Sequence, residues 1–319
     1  MTARRYLVTG GAGFIGSHLV EALLRRRQEV VVLDNLATGR RENLQAALAA
    51  RPEGTPEARV IEGDIRDRAV VSDALRGVTH VLHQAALPSV PRSVAEPLES
   101  HDVNATGTLN LLVAARDAGV ARFVYASSSS IYGDSEQLPK LESMPAAPLS
   151  PYAVNKLTGE LYCRIFHRLY GLETIALRYF NIFGPRQDPS SQYAAVVPKF
   201  ITAALAGDAP TIFGDGEQSR DFTYIDNAVE ANFRACEARA SAAGRAYNVA
   251  CGSRASLREL IAALERILGG AIRPSHEAAR PGDVKHSMAG IDEARRHLDY
   301  VPGVDLEEGL RRTVAWFRA

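Results

Sequence analysis

Tyr152 and Lys156 stand four residues apart in the run Tyr-Ala-Val-Asn-Lys. On a helix that spacing puts both on one face. An ammonium beside a phenol favours the ionised phenol, whose reference pKa is ~10. The expected result is a base usable near neutral pH, able to take the proton of an alcohol. Lysine is scarce here, only Lys140, Lys156, Lys199 and Lys285, so this pairing carries weight. Ser127, Ser128, Ser129 and Ser130 close the apolar run Val124-Tyr125-Ala126. A hydroxyl there can bond both a substrate oxygen and the tyrosine oxygen and relay a proton. Four candidates leave open which serine reacts.

A hydride acceptor must lie beside such a base, and the N-terminus offers a seat for one. The stretch Thr9-Gly10-Gly11-Ala12-Gly13-Phe14-Ile15-Gly16 follows the apolar run Tyr6–Val8 and precedes apolar positions at helical spacing through Leu24. Strand, glycine turn and helix in that order seat a dinucleotide pyrophosphate on a helix N-terminus. Gly10, Gly13 and Gly16 allow the tight turn and close backbone approach, with Phe14 and Ile15 beside the phosphates. Asp34 ends the next strand, Val30–Asp34, followed by Asn35. A carboxylate there accepts from ribose hydroxyls and repels a 2′-phosphate, which favours NAD over NADP. Arg40 and Arg41 keep NADP open, and a plain turn cap is the alternative for Asp34.

These residues need elements to position them. Strand-like runs at Tyr6–Val8, Glu29–Leu33, Arg59–Ile61, Val78–His83, Arg122–Ala126 and Glu173–Arg178 alternate with helical segments Arg66–Leu75, Val94–Gly119 and Tyr152–Tyr170. Alternation of this kind predicts an α/β fold, a doubly wound parallel sheet of Rossmann type. Beyond about residue 180, short strands at Thr211–Phe213, Phe222–Ile225 and Ala246–Val249 mix with helices at 194–206, 227–238, 257–268 and 306–317. A smaller mixed α/β C-terminal lobe for the substrate is expected there. The predicted division is 1–180 and 181–319, with an interleaved boundary.

At 319 residues the chain can bury a large core, and 37 basic against 37 acidic residues give no charge argument for nucleic acid or an anionic membrane. Cys163, Cys236 and Cys251 match no metal spacing, so no metal is expected. Free thiols, a first strand starting almost at once and no apolar run near ~20 residues predict a cytoplasmic protein.

The ordered set TGGAGFIG, Asp34, Gly63-Asp64-Ile65, His83-Gln84-Ala85-Ala86, the serine strand, YAVNK and Arg178-Tyr179-Phe180-Asn181 spans most of the chain. Together it resembles the extended short-chain dehydrogenase/reductases, in their nucleotide-sugar epimerase and dehydratase group. The resemblance implies that Asp64 and Ile65 contact adenine, that Ala85 and Ala86 line the cofactor cleft and that Asn104 sits near it. It places the reacting serine at Ser128, and Asn181 and Arg220 at the nucleotide-sugar diphosphate with Arg280. Phe213 would lie at the uracil. A homodimer joined through the helices of 94–119 and 152–170 is implied as well.

Three reactions in that group begin with a 4-keto sugar. The dehydratases it resembles carry Asp-Glu after the reacting residue, and the decarboxylases usually carry Glu at the second position. Ser129 and Ser130 stand there instead. Epimerisation at C4 of a UDP-hexose remains, with recycled NAD. Ser287 replaces a bulky tyrosine found in epimerases that exclude N-acetyl groups, which leaves room for UDP-GlcNAc and UDP-GalNAc besides UDP-Glc and UDP-Gal. A UDP-glucuronate 4-epimerase or decarboxylase and a silent NAD-binding regulator are the alternatives.

Overall fold

A computed structural model of the chain describes residues 4–189, 195–278 and 285–319. The apolar runs form strands β1 Arg5–Thr9, β2 Glu29–Asp34, β3 Arg59–Glu62, β4 His80–His83, β5 Arg122–Ser128, β6 Glu173–Tyr179 and β7 Arg245–Val249. They pair in parallel in the order β7-β6-β5-β4-β1-β2-β3. Side chains alternate between faces, as strand geometry requires. Tyr6, Val8, Val30, Val32 and Val124 enter one core, while Leu7, Val31, Leu33, Phe123 and Tyr125 enter another. Both faces are therefore covered, the condition under which an all-parallel sheet is stable. The order in which strands are added reverses between β1 and β4, and the carboxyl ends of the strands there open a crevice.

Helices α1 Phe14–Arg25, α2 Arg41–Ala49 and α3 Arg68–Ala74 follow the first three strands. The long helix expected over 94–119 is three helices: α4 Val90–Ala95, α5 Pro97–His101 and α6 Gly107–Asp117, with a π-helical turn at Asp102–Thr106. Pro97 explains the first break, because it lacks an N–H and drives its predecessor out of the helical region. Glu96 accordingly sits at φ −129°, ψ 65°. Helix α7, Pro151–Tyr170, starts where Ser150 accepts from the Ala153 N–H and stops at Gly171, φ +73°.

Helices α8 Val196–Ala206, α9 Ile225–Glu237, α10 Leu257–Leu268, α11 Asp292–Leu298 and α12 Leu306–Arg318 complete the chain. Three two-stranded sheets join Ile182–Phe183 to Thr223–Tyr224, Ser219–Arg220 to Ala255–Ser256, and Thr211–Phe213 to Ser275–Glu277. The strand expected at Ala246–Val249 in the second lobe instead extends the main sheet as β7, in register with β6. Helix α9 also joins the main core, its Ala231 and Phe233 sharing a cluster with Leu19 and Val20. The chain thus crosses residue 180 and returns. No helix among the described residues is long and apolar enough to cross a membrane.

Candidate active site

The glycine turn is built so that nothing larger fits. Gly10 takes φ +70°, a left-handed conformation that other residues rarely adopt. A Cβ on Gly16 would lie 1.9 Å from the Gly10 carbonyl oxygen, and one on Gly11 2.6 Å from Val32. Gly13 caps α1 without a side-chain bond, which leaves the helix's first N–H groups for an anion. These features face a cavity of about 930 Å³ whose lining runs from Gly10, Gly13, Phe14, Ile15 and Gly16 through Asp34 and Asn35 to Ser128 and Tyr152. A pyrophosphate seat at one end and a hydroxyl cluster at the other fit a dinucleotide.

Asp34 is buried and accepts from the Ala12 N–H and the Leu36 N–H, each at 2.8 Å. It therefore ties the glycine turn to its own strand while lining the cavity. Ile65, Ala85 and Ala86 also line it. Asp64 stands outside that lining: Arg66 grips its carboxylate at 3.0 and 2.7 Å and Asn35 donates to it at 2.8 Å. Those bonds, Arg66 first, hold its pKa down to about 2. Asn104 is likewise turned inward. Its amide brackets Leu87, accepting from the N–H at 2.8 Å and donating to the carbonyl at 3.2 Å.

Ser128, Tyr152 and Lys156 converge where β5 ends against the first turns of α7. All three line the cavity. Lys156 Nζ donates to the Ala126 carbonyl at 2.8 Å and lies 5.8 Å from the centroid of the Tyr152 ring. The expected depressed phenol is overturned. Burial pushes Tyr152 up to about 12, and a hydrogen bond with Ser128 pulls the other way. Burial also brings Lys156 down to about 8. Desolvation of both groups outweighs their attraction, so the resting pair is a neutral phenol beside an ammonium. His83 is neutral too, pushed to about 3 by burial and then by the Lys156 charge.

Glu160, one further turn along α7, escaped the sequence reading. Its carboxylate accepts from Ser127 Oγ and from Arg178 Nε and Nη2 at 2.9 and 2.8 Å, all buried. Arg178 also donates to Tyr132 Oη at 2.8 Å, and Tyr132 to Asn248 at 2.7 Å. The available signal was its place four residues past Lys156, on the same helix face.

The residues expected at the nucleotide-sugar end are brought together only in part. Asn181 lines the cavity at φ +39°, with its amide donating to the Asp221 carbonyl at 3.2 Å. Phe213, Arg220 and Ser287 lie outside that lining, in the second lobe. Gln218 donates to the Phe213 carbonyl at 2.6 Å, Arg220 Nη1 to the Lys285 carbonyl at 3.1 Å, and the Ser287 N–H to the Ser219 carbonyl at 3.0 Å. Arg280 falls outside the described residues.

The model of the NAD dependent epimerase/dehydratase family matches residues 6–250. The chain is 40% identical over 316 residues to the UDP-glucose 4-epimerase of Mycolicibacterium smegmatis, with 98% of each chain covered. It superposes at TM-score 0.93 and 41% identity on the UDP-N-acetylglucosamine 4-epimerase of Methanobrevibacter ruminantium in complex with UDP-N-acetylmuramic acid, covering 100% and 99%. It superposes at TM-score 0.86 and 39% identity on the Thermus thermophilus UDP-glucose 4-epimerase complex with NAD, covering 99% of both.

Proposed function

The chain belongs to the NAD dependent epimerase/dehydratase family, and we propose that within it the protein is a UDP-hexose 4-epimerase that interconverts UDP-GlcNAc and UDP-GalNAc and also turns over UDP-Glc and UDP-Gal. It is an NAD-dependent enzyme acting on UDP-sugars. Epimerisation over dehydration is supported by one observation: the serines after Ser128 line the cavity, and no carboxylate stands with them. Among the described lining residues the carboxylates are Asp34, Glu99 and Asp188, each already bonded elsewhere. Among the described residues, a 4-keto sugar formed here meets no free carboxylic acid for dehydration at C6.

Held by the glycine turn and Asp34, NAD would supply the reversible hydride acceptor that oxidation and re-reduction at C4 require. Tyr152 takes the 4-OH proton, through Ser128 as relay, and gives it back after the ketose has presented its other face. The phenol must be ionised for the first step, against a burial that holds it near 12. Lys156 supplies the fixed positive charge that offsets part of this cost. Asp34, Asn35, Ile65, Ala85 and Ala86 are assigned to the cofactor, with Asp64 and Asn104 bracing its walls. Asn181, Phe213, Arg220, Arg280 and Ser287 are assigned to the UDP-sugar, and the dinucleotide and sugar-binding parts are assigned near 1–180 and 181–319, less β7 and α9.

A product NMR screen of UDP-sugars without added NAD tests the reading. Interconversion of the acetylated pair supports it. Turnover confined to UDP-glucuronate, or CO₂ release, replaces it with the uronate reading.

We also assign a second copy of the chain as partner. Leu161, Ile165 and Leu169 repeat at helical spacing on α7 and are exposed, as are Val94 and Leu98 nearby in the fold. Light scattering at micromolar concentration reads dimer or monomer directly. A reducing cytoplasm suits Cys163, Cys236 and Cys251, all free thiols.

A further inference from the structure

After Asn181 and the short strand Ile182–Phe183, the chain runs as Gly184-Pro185-Arg186-Gln187-Asp188 against α1 and α2, the helices that follow the glycine turn. Several bonds fix it there. His18 on α1 donates from Nε2 to the Pro185 carbonyl at 3.0 Å, since a carbonyl can only accept. Arg186 pairs with Glu21 on α1, both side chains less than one-fifth exposed at 12% and 17%. Asp188 pairs with Arg40 at 2.6 Å, just ahead of α2, and Asn43 on α2 reaches the Arg186 carbonyl at 3.4 Å. To make these bonds Arg186 holds φ +65°, a conformation disfavoured for any residue but glycine.

Two polar atoms of this segment find no bond among the described residues. Arg186 Nη1 and Gln187 Oε1 are buried and have no hydrogen-bond partner among the described residues. Arg186 and Gln187 line the same cavity as Gly13, Phe14 and Asp34. Buried donors and acceptors are seldom left unpaired, and each costs stability while it is. A guanidinium donor calls for an anionic oxygen and an amide oxygen calls for a hydroxyl. A dinucleotide brings both.

We infer that Pro185–Asp188 is a strap that closes over the bound dinucleotide and slows its release, with Arg186 donating to a phosphate oxygen and Gln187 accepting from a hydroxyl. Glu21, Arg40 and His18 are positioning residues that hold the strap down. Retention matters because an enzyme that returns the hydride to its own substrate does not exchange cofactor between turnovers. The inference rests on the NAD site and not on which sugar is turned over.

The test is the dissociation rate of NAD from the purified holoenzyme, read by trapping released NAD with a coupled dehydrogenase and with no sugar present. Arg186→Met and Glu21→Gln are expected to speed release by roughly tenfold or more, the scale of a lost hydrogen bond to a charged group. Asp188→Asn breaks a half-exposed pair, cannot unfold the chain by stranding a buried charge, and is expected to speed release by roughly threefold. Thermal melts of each NAD-free variant identify any that fail to fold, and for those Asp188→Asn decides. Release rates within twofold of the parent in folded variants overturn the strap. Absence of epimerase activity alongside faster release would reject the sugar assignment and leave the strap standing.

Discussion

Lys156 Nζ donates to the carbonyl oxygen of Ala126, two residues before Ser128 on β5. That bond pins the ammonium between the strand that carries the hydroxyl and the helix that carries the phenol. An ammonium has three donors, so two remain for the cavity. The arrangement fixes a positive charge beside a tyrosine that must lose its proton during turnover, and its protonation therefore governs the rate.

Lys156 sits near 8 because burial penalises its charged form. A lowered lysine keeps its proton below that value and loses it as pH rises through it. With the phenol near 12 needing to lose its proton and the lysine near 8 needing to keep its own, the turnover number is expected to rise with pH up to about 8, by up to roughly tenfold per unit, and to level off above it. A pH profile at saturating UDP-sugar checks this. A rate that keeps rising past pH 9 would mean that the ammonium is not needed.

Tyr152→Phe removes the phenol that receives the C4 hydroxyl proton and leaves the packing of the ring intact. The turnover number is expected to fall by roughly 10³-fold or more, the range for loss of a general acid–base group. NAD content and melting temperature stay near those of the parent. Retained turnover would move the chemistry to another group.

Glu160 and Arg178 form an ion pair whose side chains are 7% and 9% exposed. Removing one partner leaves a buried charge uncompensated and costs about 3–5 kcal/mol. Glu160→Gln and Arg178→Met should each lower the unfolding free energy read by urea titration by that scale. The double variant should lose less than the sum, because the second change removes the stranded charge. Strict additivity would show that the pair acts as two separate residues.

Strands were legible where apolar runs were long and two-sided. Each of β1 to β6 falls within two residues of its expected position; burial on both faces writes an unbroken signature in all but β3, an edge strand whose residues alternate between half-buried and exposed. Val94–Gly119 misled because its apolar spacing is helical while Pro97 breaks the backbone beneath it. Two-residue strands such as Ser219–Arg220 carry no period to read. At the site, spacing was enough to bring Tyr152 and Lys156 together, since one helix fixes both. Their proton affinities were not legible, because desolvation depends on what other elements cover them. Arg186 and Gln187 escaped for a similar reason: only the folded chain shows a donor and an acceptor with no partner among the described residues.

His83 is buried between Thr9 and Thr108, whose hydroxyls lie 2.7 and 2.9 Å from its ring nitrogens. Its pKa falls from 6.5 to about 3, so the unfolded chain takes up a proton below pH 6.5 that the folded chain refuses. Stability is full above pH 6.5 and declines as pH falls from there, by about 1.4 kcal/mol per unit for this group. At pH 5 the loss is about 2 kcal/mol. Urea titrations at pH 7 and pH 5 should differ less in His83→Gln than in the parent by that amount. An unchanged difference would assign the acid sensitivity to other groups.

Ser287 offers the sharpest test of substrate choice, because its assignment stands on resemblance and its location lies beyond the lining of the main cavity. Its backbone N–H donates to the Ser219 carbonyl, which fixes it beside the strand that carries Arg220. If that strand borders the sugar, Ser287→Tyr fills space an acetamido group needs and leaves a plain hexose untouched. The ratio of kcat/KM for UDP-GlcNAc over UDP-Glc should then fall by roughly tenfold to a hundredfold, the range for excluding one small group from a pocket. A steric gate acts on the larger substrate alone, so the rate on UDP-Glc should stay within about twofold while the acetylated rate collapses. Equal losses on both substrates would mean that the tyrosine disturbs the lobe rather than gates it. Equal retention would place position 287 away from the sugar and move the choice of substrate to residues of the cavity itself, with Ser130, whose hydroxyl has no partner among the described residues, the first to change.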